Sequence, residues 1–82
     1  MDRDQIRTAV LACLKTIAPE LEEAEIRADR PLRDQVDLDS MDWLNFLVAL
    51  HQRLGVDIPE SDYGKLSTWD AILAYLEAKL AA

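Results

Sequence analysis

The sequence has 82 residues, of which 50% are hydrophobic and 30% charged, and its formal net charge is −7. This length suits one small domain (1–82) with a modest core, and the hydrophobic content excludes a disordered chain. So much negative charge would repel phosphate backbones, so we expect no nucleic-acid partner and instead a partner with a basic protein surface.

The chain has one cysteine, Cys13, and one histidine, His51. A single cysteine excludes an internal disulfide and a cysteine-built metal site, and a single histidine excludes most histidine-based catalytic arrangements. An enzyme is the weakest interpretation, because no pair of titratable groups lies in a predictable cleft. The charged N-terminus does not read as a signal peptide, and no apolar run is long enough to span a bilayer. We therefore expect a cytoplasmic monomer that does not insert into membranes.

Apolar residues at helical spacing predict an all-α fold, a small bundle of three main helices plus one short helix. The first helix is predicted from Arg3 to Ala18, with Asp2 as its cap and Pro19 ending it. Its apolar stripe consists of Ile6, Val10, Cys13, Leu14 and Ile17. Within this stripe Cys13 is interpreted as a small buried hydrophobe rather than a reactive thiol.

Residues 19–39 form a long connection, which we expect to be pinned across the helices by apolar anchors. These anchors are Leu21, Ile26, Leu32, Val36 and Leu38. Pro31 predicts a short turn of helix within Leu32–Val36. The glutamates between positions 20 and 25 are interpreted as a solvated face rather than a metal site.

The second main helix is predicted to start at Asp39 or Ser40 and to end near Leu54, with Gly55 as its stop. Its inward stripe is Trp43, Phe46, Leu47, Leu50 and Leu54. A second, offset apolar stripe of Met41, Leu44 and Val48 adjoins Ser40. It indicates either an exposed docking patch or a helix surrounded by the core, with His51 as a surface residue on the same face.

After an extended turn at 56–59, residues 60–66 predict a brief third helix. Ser67 or Thr68 is predicted to cap the last helix, and Asp70 follows Ser67 at capping-box spacing. The buried stripe of that helix is Trp69, Ile72, Leu73, Leu76 and Leu80.

The stretch Leu38-Asp39-Ser40-Met41-Asp42 is, taken alone, compatible with plain helix capping. In its setting, the sequence resembles the acyl carrier protein family over nearly its whole length. The resemblance also rests on Leu32-Arg33-Asp34, Gly55-Val56-Asp57-Ile58-Pro59 and Thr68-Trp69-Asp70-Ala71-Ile72, in that order and at matching spacing.

This resemblance implies a freestanding carrier whose Ser40 bears a 4'-phosphopantetheine arm, taken from coenzyme A by a phosphopantetheinyl transferase. The arm's thiol would hold acyl groups as thioesters and present them to acyl-transferring, ligating or synthase enzymes. The residues that flank Ser40 in the motif are Asp39, Met41 and Asp42, and the expected docking residues are Asp37, Met41, Asp42, Leu44 and Val48. Two alternatives stay open: an aminoacyl or peptidyl carrier of a dedicated pathway, and an unmodified helical interaction module.

The sequence departs from the family pattern in three ways. Asp37 stands where a glycine is common, three residues before Ser40. Acids that are frequent along the family's second helix are replaced by Asn45, His51, Gln52 and Arg53, so we expect a different choice of partners. Trp43 and Phe46 are bulky for a helix that borders the family's acyl cavity, so we expect short or polar cargo, or a chain left outside the core.

Overall fold

The computed structural model describes residues 2–36 and 38–81. Four α-helices follow one another along the chain: α1 (Arg3–Lys15), α2 (Leu32–Gln35), α3 (Ser40–Leu54) and α4 (Trp69–Ala81). Two 3₁₀ helices cover Glu23–Glu25 and Glu60–Lys65. The prediction of an all-α bundle with three main helices is confirmed, and no β-strand forms among the described residues.

Side-chain caps start α1 and α4. Asp2 and Gln5 form a reciprocal capping box, in which Asp2 Oδ1 accepts a 2.8 Å hydrogen bond from the Gln5 backbone N–H. At α4, Thr68 Oγ1 accepts a 3.0 Å bond from the Ala71 N–H. Thr68 rather than Ser67 is therefore the cap, and the capping box suggested at Ser67 is wrong. Alanine at the third helical position has no side chain that could complete such a box.

Two helix ends test the predicted stops. α1 ends at Lys15, three residues earlier than predicted, and the Thr16 hydroxyl just beyond it donates a 2.6 Å hydrogen bond to the Cys13 carbonyl. Such local side-chain bonds compete with continuation of the helix. α3 ends at Leu54 as predicted, and Gly55 adopts the left-handed conformation, with φ of 68°.

One hydrophobic core lies between α1, α3 and α4. Its most deeply buried side chains are Ile6, Val10, Leu14, Leu32, Phe46, Leu50, Leu66, Ile72 and Leu76. No helix within 2–36 or 38–81 is both long and apolar enough to cross a membrane.

The long connection between α1 and α3 is held against this core, as predicted. Leu32, Val36 and Leu38 are buried, and Leu21 and Ile26 are partly buried against the core. Burial of these anchors fixes the path of the chain into α3 and so positions the N-terminus of that helix.

Polar contacts hold the same connection. Arg7 on α1 binds both carboxylate oxygens of Glu23, at 3.1 and 3.2 Å. The Gln35 side-chain amide bonds to the backbone of Arg27 and Arg30, which closes the loop that leads into α2. The connection is thus an ordered strap across the bundle rather than a loose loop.

Candidate functional site

Ser40 is the first residue of α3, and its side chain is exposed. The preceding residue performs the capping, because Asp39 Oδ1 accepts a 2.8 Å hydrogen bond from the Asp42 N–H. Asp39 has the extended backbone typical of a cap. The Ser40 hydroxyl is therefore not required to start the helix and can be modified without uncapping it.

The first turn of α3 combines the positive end of the helix dipole with negatively charged carboxylates. Backbone N–H groups at a helix start are largely without intrahelical partners and form the positive end of the helix dipole, which favours a nearby phosphate. Asp39, which is exposed, and Asp42, which is partly buried, place carboxylates around the same turn. The first turn of α3 thus fits a phosphodiester on Ser40, and the surface around it is acidic.

The second apolar stripe of α3 lies at the surface. Met41 is 68% exposed, Leu44 46% and Val48 52%. These three residues are called the α3 patch below. Their exposure confirms the prediction of an exposed apolar face and shows that the alternative, a helix surrounded by the core, is wrong.

The opposite face of α3 fills the core. Trp43, Phe46, Leu47 and Leu50 are buried, as predicted, and Leu54 is partly buried. The rings of Trp43 and Phe46 pack against each other with centroids 5.3 Å apart and a tilt of 42°. The Arg33 guanidinium lies 5.9 Å from the centre of the Trp43 ring. Aromatic rings therefore occupy the space beneath the first turns of the helix.

A surface groove of about 500 Å³ runs along α3 on the side of the second 3₁₀ helix. It is called the α3 groove below. Its lining residues are Leu44, Leu47, Val48, His51, Asp57, Ile58, Pro59, Tyr63 and Lys79. The sequence indicated the apolar residues on the α3 side of the groove but not those on the facing side. Nothing in the local sequence of residues 57–63 or Lys79 predicts that they lie next to α3.

His51 lies at one end of this groove and is exposed, as predicted. Its Nδ1 atom is 2.8 Å from the carbonyl oxygen of Val56 and 3.4 Å from Oδ1 of Asp57. These contacts tie the end of α3 to the turn that follows it. In the part of the chain that the structure describes, no group of three or more His, Cys, Asp or Glu residues could hold a metal ion.

One polar contact joins the second 3₁₀ helix to α4. The Tyr75 hydroxyl donates a 2.6 Å hydrogen bond to Asp62 Oδ2, and Lys65 Nζ lies 3.3 Å from Oδ1 of Asp62. Burial, together with this bond to a carboxylate, raises the pKa of Tyr75 to about 12. The same bond is the main cause that lowers the pKa of Asp62. The contact fixes the segment that carries Tyr63 and thereby the outer wall of the α3 groove.

Cys13 and Asp37 were also singled out from the sequence. Cys13 is buried in the core, as predicted, and burial raises the pKa of its thiol, so it stays protonated at neutral pH. Asp37, one of the expected docking residues, lies outside the described residues.

Comparisons with known proteins agree with this geometry. Residues 8–76 match the family described as a phosphopantetheine attachment site. The chain is 27% identical over 77 residues to an acyl carrier protein of Thermotoga maritima, covering 90% of this chain and 95% of that protein. Over 57 residues it is 30% identical to acyl carrier proteins of Rhodococcus erythropolis and of an Exiguobacterium species. Those two matches cover 70% of this chain and, respectively, 63% and 72% of the relatives.

Proposed function

We propose that this chain, which belongs to the phosphopantetheine attachment family of acyl carrier proteins, carries its covalent 4'-phosphopantetheine on Ser40. The proposal rests on the separate roles of two neighbouring residues at the start of α3. Asp39 caps the helix, and Ser40 beside it presents an exposed hydroxyl. A serine that capped the helix would lose that role on modification, whereas this one does not.

The attachment chemistry needs little from the carrier itself. The Ser40 oxygen would attack the pyrophosphate of coenzyme A, form a phosphodiester and lose its proton, while adenosine 3',5'-bisphosphate leaves. A phosphopantetheinyl transferase would supply the Mg²⁺ and the proton acceptor. The contribution of this chain is to expose Ser40 at a fixed point, beside N–H groups that tolerate a phosphate.

The modified chain would act as a carrier and not as an enzyme. The thiol of the arm would hold an acyl group as a thioester and present it to acyl-transferring, ligating or synthase enzymes. We expect these partners to dock on the α3 patch, with Asp39 and Asp42 at the end nearest Ser40 and Asp37 as a further acidic contact. The exposed apolar area would hold the complex, and the acids would attract a basic partner.

An aminoacyl or peptidyl carrier of a dedicated pathway is the second candidate. It rests on four α3 residues that stand where acids are common in the family and that point to a different choice of partners. Asn45, His51, Gln52 and Arg53 are all exposed, so the replacement changes the surface that a partner meets. An unmodified interaction module is disfavoured, because Ser40 is accessible and its motif is intact.

Intact-mass analysis tests the attachment. Incubation with coenzyme A, Mg²⁺ and a promiscuous transferase should add the mass of one phosphopantetheine, and Ser40→Ala should abolish the gain. Ser61→Ala is the matched control, because Ser61 is also exposed and lies in the first turn of a short helix. Modification of Ser40→Ala at the wild-type level would overturn the assignment.

A further inference from the structure

We infer that the Arg33 guanidinium binds the phosphodiester that modification would place on Ser40, and that Arg33 is thereby the positioning residue for the root of the arm. This inference rests on the proposed attachment at Ser40. It assigns a partner to the phosphate group, and it does not depend on the path that the rest of the arm takes.

Modification adds a negative charge to a turn that already carries two. Asp39 and Asp42 both belong to the start of α3, and the Asp39 carboxylate accepts a 2.8 Å hydrogen bond from the Asp42 N–H. These carboxylates already compensate the positive end of the helix dipole. A phosphodiester, which is ionised at neutral pH, would therefore stand next to like charges, and a nearby base would offset their repulsion.

Arg33 is a base that the structure holds over this turn. Its guanidinium carbon lies 5.9 Å from the centre of the Trp43 ring. Trp43 follows Ser40 by three residues, and residues at that spacing are neighbours on a helix, with about 5–6 Å between their Cβ atoms. Because helical side chains lean towards the N-terminus, the Trp43 ring covers the turn that begins at Ser40. An exposed guanidinium against that ring thus lies on the side of the attachment point.

The backbone that carries Arg33 is fixed before and after it. Leu32 is fully buried, and its N–H donates a 2.8 Å hydrogen bond to the Ser67 carbonyl. Val36 is also buried, and its N–H donates a 2.9 Å bond to the Leu32 carbonyl. The part that can move is therefore the side chain of Arg33, which can turn towards an anion on Ser40 while the backbone stays in place.

The guanidinium has the donors and the space for this role. In the part of the chain that the structure describes, Arg33 forms no ion pair. Arg33 and Trp43 both line an open surface cavity of about 410 Å³. A phosphodiester has two unesterified oxygens, which match the paired N–H groups of a guanidinium. The pair can therefore form at the surface without displacing the core.

Thermal unfolding of the unmodified and the modified chain measures this pairing. The quantity is the change in melting temperature on modification, for samples whose intact mass shows no arm or one arm. At low salt this change should be more favourable in the wild type than in Arg33→Gln by about 2–6 °C. The difference should shrink in about 0.5 M NaCl, because salt screens exposed charges.

Two further substitutions complete the comparison. Arg30→Gln removes the same charge from the same connection, where Arg30 is exposed and its carbonyl accepts a 3.0 Å bond from the Gln35 amide. Its change in melting temperature on modification should equal that of the wild type. Arg33→Lys keeps the charge without the paired donors and should retain part of the difference. A merely structural role of Arg33 would lower the melting temperatures of both forms equally and leave the change on modification as it is.

Nuclear magnetic resonance reports on the two partners themselves. The Nε–H resonance of Arg33 should shift and exchange more slowly with water once the arm is attached. The phosphorus resonance of the attached arm should differ between the wild type and Arg33→Gln, and Arg30→Gln should leave it unchanged.

Three results would overturn the inference. Equal changes in melting temperature in the wild type and Arg33→Gln would mean that the phosphate is left to solvent. An equal loss in Arg30→Gln would mean that only net charge matters. An Arg33 Nε–H resonance that modification does not alter would mean that the guanidinium has another partner. All of these measurements use chains with the mass gain on Ser40, so failure of the pairing is distinguishable from failure of the attachment itself.

Discussion

Because different residues cap α3 and carry the proposed attachment, two substitutions should separate the stability of the chain from its modification. Asp39→Ala removes the carboxylate that accepts the 2.8 Å bond from the Asp42 N–H. It also removes a negative charge from the positive end of the helix dipole. Ser40→Ala removes the proposed attachment point and leaves that bond in place.

The expected magnitudes differ clearly. Loss of an aspartate cap costs about 1 kcal/mol, and the exposure of this site keeps the cost near that value because water can solvate the released N–H. For a chain of this size, that loss lowers the melting temperature by roughly 4–8 °C. With a urea dependence of about 1 kcal/mol per M, the unfolding midpoint moves down by about 1 M. Ser40→Ala should stay within about 0.5 kcal/mol of the wild type.

Urea unfolding followed by far-ultraviolet circular dichroism measures both variants. Asp2→Ala is the matched control, because Asp2 accepts a bond of the same length from the Gln5 N–H at the start of α1. It should lose a similar amount of stability. The opposite result would be a midpoint lowered by about 1 M in Ser40→Ala and unchanged in Asp39→Ala. Ser40 would then be the helix cap. Modification would then disturb the helix.

Two further outcomes are expected. Met41→Ala should raise the dissociation rate of a bound transferase by about 5- to 30-fold, or 1–2 kcal/mol, whereas Asp42→Lys should slow association and flatten its salt dependence. Stopped-flow binding measures the two rates separately. If both substitutions changed the same rate, the separate roles of the apolar patch and the acids would be contradicted. The raised pKa of Tyr75 means that the folded chain holds this proton more tightly than the unfolded one, so the stabilisation is complete below pH 10 and is lost as the pH rises towards about 12. The urea unfolding midpoint of the wild type should fall over this pH range, and that of Tyr75→Phe should fall much less. If the midpoints of both proteins fell in parallel with pH, the stabilisation would not come from the Tyr75 hydroxyl. The lowered pKa of Asp62 works in the opposite direction, because its contribution is present above its ordinary value of 3.8 and is lost as the pH falls below it.

The features that were predictable from the sequence are those with local causes. The caps at Asp2 and Asp39 and the stop at Gly55 depend on residues within a few positions, so side-chain chemistry alone indicates them. The exposed α3 patch followed from helical periodicity, although periodicity could not decide between exposure and full burial. The early end of α1 was missed because threonine occurs both within helices and at their ends, as Thr8 and Thr16 do here.

The features that were not predictable depend on distant packing. Asp62 and Tyr75 are thirteen residues apart, and nothing in either neighbourhood indicates that they meet. The outer wall of the α3 groove depends on that contact, because the second 3₁₀ helix must rest on α4 before Tyr63 can face α3. The lining of the groove depends likewise on Lys79, whose helix comes last in the chain. Its role could be inferred only once the helices were in place.

Leu44 and Val48 belong to two surfaces at once, the α3 patch and the wall of the α3 groove. A partner that covers the patch and a ligand that enters the groove would compete for these side chains. Because binding free energies are reciprocal, a groove ligand that weakens docking is itself weakened by docking to the same extent. The affinity of a partner for the patch would therefore depend on what occupies the groove.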